Sequence, residues 1–297
     1  RYYSTSTDGF QVYNVLQYDD NNYYLAGGIA LGNNVDVVLL KIDQTGMQLL
    51  EKKYHQFAYD YGESLIKLNN GNLLLGAVRN NNNQTLQKSN TWLLEVDTGG
   101  NVVRQWFDPN DSTYVAEGLR QTQDGGFIYG AQKKSYQTVN DVYKTSTIVK
   151  LDSNFDEQWV FEGGLIGNHT GFRDIEITNN GQYIACGNYS NKEAWIVKLD
   201  SDGVVIWDRK YVGLPDTFPT WNILTDIDIQ PDGGLIAVGQ CQRLINPDNL
   251  PPQVGWFLKL DSNGCEIENC LLSSPLTPEG GTAMQIYPNP TNGRFQV

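Results

Sequence analysis

The chain has 297 residues, a hydrophobic fraction of 40%, 17 tyrosines, 7 tryptophans and 30 glycines, enough for one large core or two ordinary ones. A formal charge of −13 without clustered Lys and Arg excludes a phosphate-binding surface, and with it nucleic acid as a partner. The same charge repels anionic lipid head groups, and no apolar stretch has the length to span a bilayer, so no membrane insertion is expected.

Along the chain one phrase is written five times. Its first half is an apolar run ending in small residues: Tyr24–Gly28, Leu73–Ala77, Phe127–Ala131, Tyr183–Gly187 and Leu235–Gly239. Its second half closes on Asp: Leu39–Asp43, Leu93–Asp97, Ile148–Asp152, Ile196–Asp200 and Phe257–Asp261. The closing aspartates lie 54, 55, 48 and 61 positions apart, and a period near 50 marks a β-propeller or a similar array.

Each repeat reads as four strands. In the fourth they are 172–178, 182–187, 194–199 and 204–211, with the hairpin turn Asn179-Asn-Gly181 between the first two. The segments 80–89, 132–144 and 242–253 read as loops between second and third strands, and 162–171 as a Gly-rich loop. The fold class expected is all-β, a five-bladed β-propeller of four-stranded antiparallel blades over residues 1–271. A linker over 272–283 and a separate tail over 284–297 follow.

Cys265 and Cys270 flank a short loop and are the disulfide candidates; Cys186 reads as a buried thiol. An extended segment from Cys265 to Cys270 would span roughly 16 Å, whereas bonded cysteines need Cα atoms within about 7 Å. If the two are bonded, this segment cannot be the fourth strand of the last blade. Residues 1–5, which align with a fourth strand, are then expected to fill that place and close the ring.

The phrases Asp232-Gly-Gly-Leu-Ile-Ala-Val-Gly239 and Trp256-Phe-Leu-Lys-Leu-Asp261 resemble the propeller modules of Bacteroidetes secreted proteins. That resemblance implies architecture, since such modules share no single activity. The tail, with Tyr287, Pro288, Asn289 and Pro290, resembles the opening of a type A sorting domain of the type IX secretion system. It implies export by that machinery to the outer-membrane surface or the medium, an oxidising setting for the cysteines. Asp111-Ser112-Thr113 resembles the O-glycan acceptor of the same bacteria, with Ser112 as the candidate.

Motifs for chemistry are sparse. His55 and His169 lie in different repeats without a nucleophile motif and read as solvated loop residues; no phosphate loop or dinucleotide fingerprint is present, and no cofactor is expected. The recurring Asp turns, such as Asp200-Ser-Asp-Gly203, lack the bidentate Glu of a calcium loop and read as strand turns, so no metal is assigned. On the first strands, which line a propeller channel, Asp174 aligns with Asp226 and Glu176 with Asp228. These four are the candidate binding carboxylates, and such pairs are what glycoside hydrolysis needs.

The expectation from sequence is therefore a secreted or cell-surface scaffold for binding, adhesion or assembly, with a glycan, a protein or further copies of itself as partner. It is expected not to be an enzyme, and no catalytic residue is assigned. The alternative is a carbohydrate-active, glycoside hydrolase-like enzyme using the channel carboxylates.

Overall fold

The computed structural model describes residues 9–80, 89–109, 113–138, 141–167, 170–190, 192–213, 220–243 and 253–266. Among them every regular element is a β-strand, in antiparallel up-and-down meanders of propeller-like form. The chain divides into two units, Arg1–Gly163 and Gly164–Val297.

The first unit holds three meanders. The first comprises β1 (Phe10–Gln17), β2 (Asn22–Leu31), β3 (Asn34–Asp43) and β4 (Gln48–Tyr54). The second comprises β5 (Tyr59–Lys67), β6 (Leu73–Asn80), β7 (Ser89–Val96) and β8 (Val102–Phe107), and touches the first through one parallel pair, Val35 with Tyr59. The third comprises β9 (Thr113–Gln121), β10 (Phe127–Thr138), β11 (Asp141–Leu151) and β12 (Glu157–Gly167), the last of which crosses the unit boundary. The second strands are apolar on both sides because both sides are covered. Tyr24, Val37 and Leu39 pack on Leu73, Leu75, Trp92 and Leu94. On the other face of the second meander, Leu74 and Leu93 pack on Phe127, Tyr129, Val149 and Leu151. Each fully buried Leu contributes about 2 kcal/mol.

The second unit holds β13 (Gly171–Ile177), β14 (Tyr183–Asn188), β15 (Ala194–Leu199) and β16 (Val205–Tyr211), followed by the three-stranded meander β17 (Thr220–Ile229), β18 (Leu235–Arg243) and β19 (Gln253–Leu260). Ile184, Cys186 and Ile196 of the one pack on Leu235, Ala237, Leu258 and Leu260 of the other. The expected closing strand at residues 1–5, the linker and the tail lie outside the described residues.

The closing aspartates act as strand turns. In all five, Asp Oδ1 accepts from the amides two and four residues on, at 2.7–3.0 Å. The fourth turn residue is left-handed, at φ 73–80° for Gly46, Gly100, Gly203 and Gly264. Fourth strands then reach over to the next meander's turn. Tyr54 Oη donates to Gly100 O at 2.9 Å and Tyr211 Oη to Gly264 O at 2.7 Å. Arg104 and Arg209 donate to the carbonyls of Ser153 and Asn263.

Three local expectations are corrected. Most of 132–144 continues the hairpin of β10 and β11, paired out to Thr138 with Asp141; its Thr, Tyr and Val residues favour strand. Residues 162–167 belong to β12 rather than to a loop. The first repeat is also offset by one: Ala26 pairs with Leu39 where Gly76 pairs with Leu93, so its phrase runs from Tyr23 to Gly27.

Candidate functional site

The first strand of a repeat carries a bulge. One extra residue stands opposite the small-residue end of the second strand: Tyr13 in β1, Glu63 in β5, Arg173 in β13 and Thr225 in β17. A bulge bends the strand and re-aims its side chains. Glycine on the partner strand makes room for it. A Cβ on Gly27, Gly187 or Gly239 would stand 1.9, 2.0 or 1.9 Å from the bulged strand's carbonyl oxygen.

In the second unit the bulge puts Asp174 opposite Cys186 and Asp226 opposite Val238. The two aspartates are structural equivalents, as their alignment predicts, yet their surroundings differ. Asp174 is buried and its Oδ2 accepts the amide of Ile227 at 3.2 Å. Asp226 is exposed. Both lie near the buried thiol of Cys186, which burial pushes well up and the charges of Asp174 and Asp226 push further. Asp174 thus serves as a clamp between β13 and β17.

The clamp sets the neighbouring pair. Glu176 stands two residues beyond Asp174, and Asp228 one residue beyond Ile227. Neither strand slips again past its bulge, since Glu176 pairs with Ile184 and Asp228 with Ile236. Glu176 is half-buried; Asp228 is exposed and accepts Gln230 Nε2 at 3.0 Å. The four candidate carboxylates therefore gather on two neighbouring first strands, with Asp174 tying the strands together and Glu176 and Asp228 accessible. Lys198 lies in the same row as Glu176 across β14, and burial lowers its pKa. Among the described residues no cluster of His, Cys, Asp and Glu is arranged to hold a metal ion.

Two features of the first unit escape a reading by sequence. His55 is exposed, but its Nδ1 lies 2.7 Å from Oδ1 of the buried Asp36, so it is an oriented imidazole rather than a merely solvated one. Beside it Asp60 is wholly buried; desolvation raises its pKa against the amides of Phe57 and Gln56, which hold it down. The second feature is Val115, at φ 75°, a strained value for a β-branched residue. Thr91 Oγ1 and Ser64 Oγ hold the carbonyls of Val115 and Ala116 at 2.9 and 2.7 Å, and so pin the start of β9. Partners two to four residues apart in one strand betray such contacts, but partners twenty to fifty apart leave no local signal.

Cys265 is disulfide-bonded, and Cys186 and Cys241 are free and buried. Cys270, Ser112, His169 and the motif Tyr287, Pro288, Asn289 and Pro290 lie outside the described residues.

The strand arrangement has counterparts among solved structures. A protein of unknown function from Dyadobacter fermentans is 14% identical, with 92% of this chain and 85% of that chain covered and a TM-score of 0.56. A protein of unknown function from Bacteroides caccae is 11% identical, covering 86% and 80%, with a TM-score of 0.51. A thermostable family-43 glycoside hydrolase is 12% identical, covering 94% and 98%, with a TM-score of 0.45. At such identities the likeness shows the fold alone. No family model matches the chain, and no curated protein matches it. The expectation of a non-enzyme is corrected by these findings. Structures similar to this chain include that glycoside hydrolase, an endo-arabinanase from Bacillus licheniformis and a levansucrase from B. megaterium.

Proposed function

We propose that the chain is a secreted, carbohydrate-active protein of glycoside hydrolase-like chemistry on a five-bladed propeller. The observation that carries the reading is the accessible pair Glu176 and Asp228 on neighbouring first strands, set in register by the Asp174–Ile227 clamp. Glycosidic cleavage needs one carboxyl to protonate the leaving oxygen and a second to activate water or attack the sugar carbon. No cofactor enters that scheme. The acidic exterior suits a neutral substrate better than an anionic one.

Export by the type IX machinery, and so a place at the outer-membrane surface or in the medium, belongs to the same proposal. Its support is the resemblance of the tail at Tyr287-Pro-Asn-Pro290 to a sorting domain. A polysaccharide is then the kind of substrate the protein would meet.

The reading is tested by a hydrolysis screen on arabinan, galactan, xylan, levan and β-glucan. Turnover by the wild type should fall at least a hundredfold in Glu176→Gln and in Asp228→Asn, with thermal midpoints unchanged. Undiminished turnover in both variants would remove the pair from the chemistry.

A further inference from the structure

On the first unit the bulged positions of two neighbouring first strands carry a different chemistry. β1 packs beside β5. The bulge of β1 aims Tyr13 outward, leaving it 44% exposed. The bulge of β5 places Glu63 at the equivalent position, and Tyr61 stands two residues before it. The rings of Tyr13 and Tyr61 lie 5.9 Å apart at 40° to one another, forming an open, tilted pair. Tyr61 and Glu63 are half-buried, which holds their positions. The phenol of Tyr13 is pushed up, first by burial and then by the charge of Glu63, the residue at the equivalent bulge of the neighbouring strand.

We propose that Tyr13, Tyr61 and Glu63 form a binding platform for a neutral saccharide. The chemistry fits in three ways. A sugar ring offers a flat face of C–H groups, which an aromatic face covers without desolvating a polar group. Tyrosine brings that face at low entropic cost and keeps a hydroxyl at its rim. A carboxylate beside the rings accepts two hydroxyl hydrogens in charge-assisted bonds and orients the sugar on them. A few fixed polar groups around an aromatic surface is the usual make-up of a small-ligand site. Bulges at Tyr13 and Glu63, in place of regular pairing, are the kind of device that re-aims side chains at such sites. The proposal takes its ligand class from the carbohydrate reading but uses none of its catalytic residues.

The test is calorimetric binding of xylo-, arabino-, galacto- and β-gluco-oligosaccharides to the whole chain, with choline and oligolysine as cationic probes. At least one oligosaccharide should bind the wild type. Tyr13→Ala should weaken it about tenfold or more, since a stacked ring with its buried area is worth above 1.4 kcal/mol. Tyr13→Phe should keep most of the affinity, and Glu63→Gln should weaken binding several-fold. Thermal midpoints guard against misfolding, and Tyr13, being exposed, should leave them unmoved. Binding of no oligosaccharide, unchanged affinity in Tyr13→Ala, or binding of choline or oligolysine alone would overturn the platform. Binding without turnover in the wild type would sink the hydrolase reading and leave the platform standing, while turnover with unchanged Tyr13→Ala affinity would do the reverse.

Discussion

Phe155 occupies the turn position at which four other repeats have glycine, at φ 71°. It is buried at 3% exposure, 5.0 Å from the ring of Phe127 and under the guanidinium of Arg104. Packing outweighs a left-handed strain of roughly 1–2 kcal/mol. Phe155→Ala should cost about 3–5 kcal/mol in urea denaturation, and Phe155→Gly about 1 kcal/mol less, because glycine relieves the strain. Equal losses would mean that the turn carries no strain. Glu95 is a second local departure, standing where other repeats have Lys. Burial pushes its carboxyl up, but hydrogen bonds from Asn72, Arg104 and Asn70 outweigh that and hold it below its ordinary 4.5. Its stabilising contribution is therefore present above pH 4.5 and lost as pH falls through the lower, folded value. Between pH 7 and pH 3 the urea midpoint should fall less in Glu95→Gln than in the wild type. In the third repeat the charges are exchanged: buried Lys150 meets Asp124 at 2.8 Å and Gln158 at 2.9 Å.

Glycines on second strands admit the bulge of the neighbouring strand. A Cβ at position 187 would meet the oxygen of Gly171 at 2.0 Å, whereas one at Gly255 meets nothing within 4 Å. Gly187→Ala should lower stability by about 1–3 kcal/mol, and Gly255→Ala should be close to neutral in the same melt. The strands themselves were legible in the sequence, since apolar runs, Asn-Gly turns and closing aspartates are local signals. Bulges were not, because an extra residue leaves alternation readable on both sides of it. The roles of Asp174 and Ser64 were hidden for another reason: their partners, Ile227 and Ala116, are more than fifty residues away. The long β10–β11 hairpin is hard to read from sequence because polar residues on a strand resemble a loop. Of the site, the four carboxylates were visible as residue types, but which of them clamps and which stays accessible depended on the bulge.

Within each unit, meanders are tied to their successors. Besides apolar packing, each unit has tyrosine hydroxyls of fourth strands bonded to the next turn. Burial pushes the Tyr211 phenol far up, so it remains a donor at any ordinary pH. Tyr211→Phe should cost about 1 kcal/mol and raise amide exchange around residues 261–265. In the second unit the Asp174–Ile227 bond also ties the two first strands that carry Glu176 and Asp228, and a held spacing is what a carboxylate pair needs. The decisive measurement is the rate of polysaccharide hydrolysis by the full chain beside its Asp228→Asn variant. At least one polysaccharide should be turned over measurably, and a hundredfold or more slower in the variant at an unchanged melting temperature. Equal rates in the two proteins, or none in the wild type on any of the five polysaccharides, would rule out hydrolysis by the Glu176–Asp228 pair.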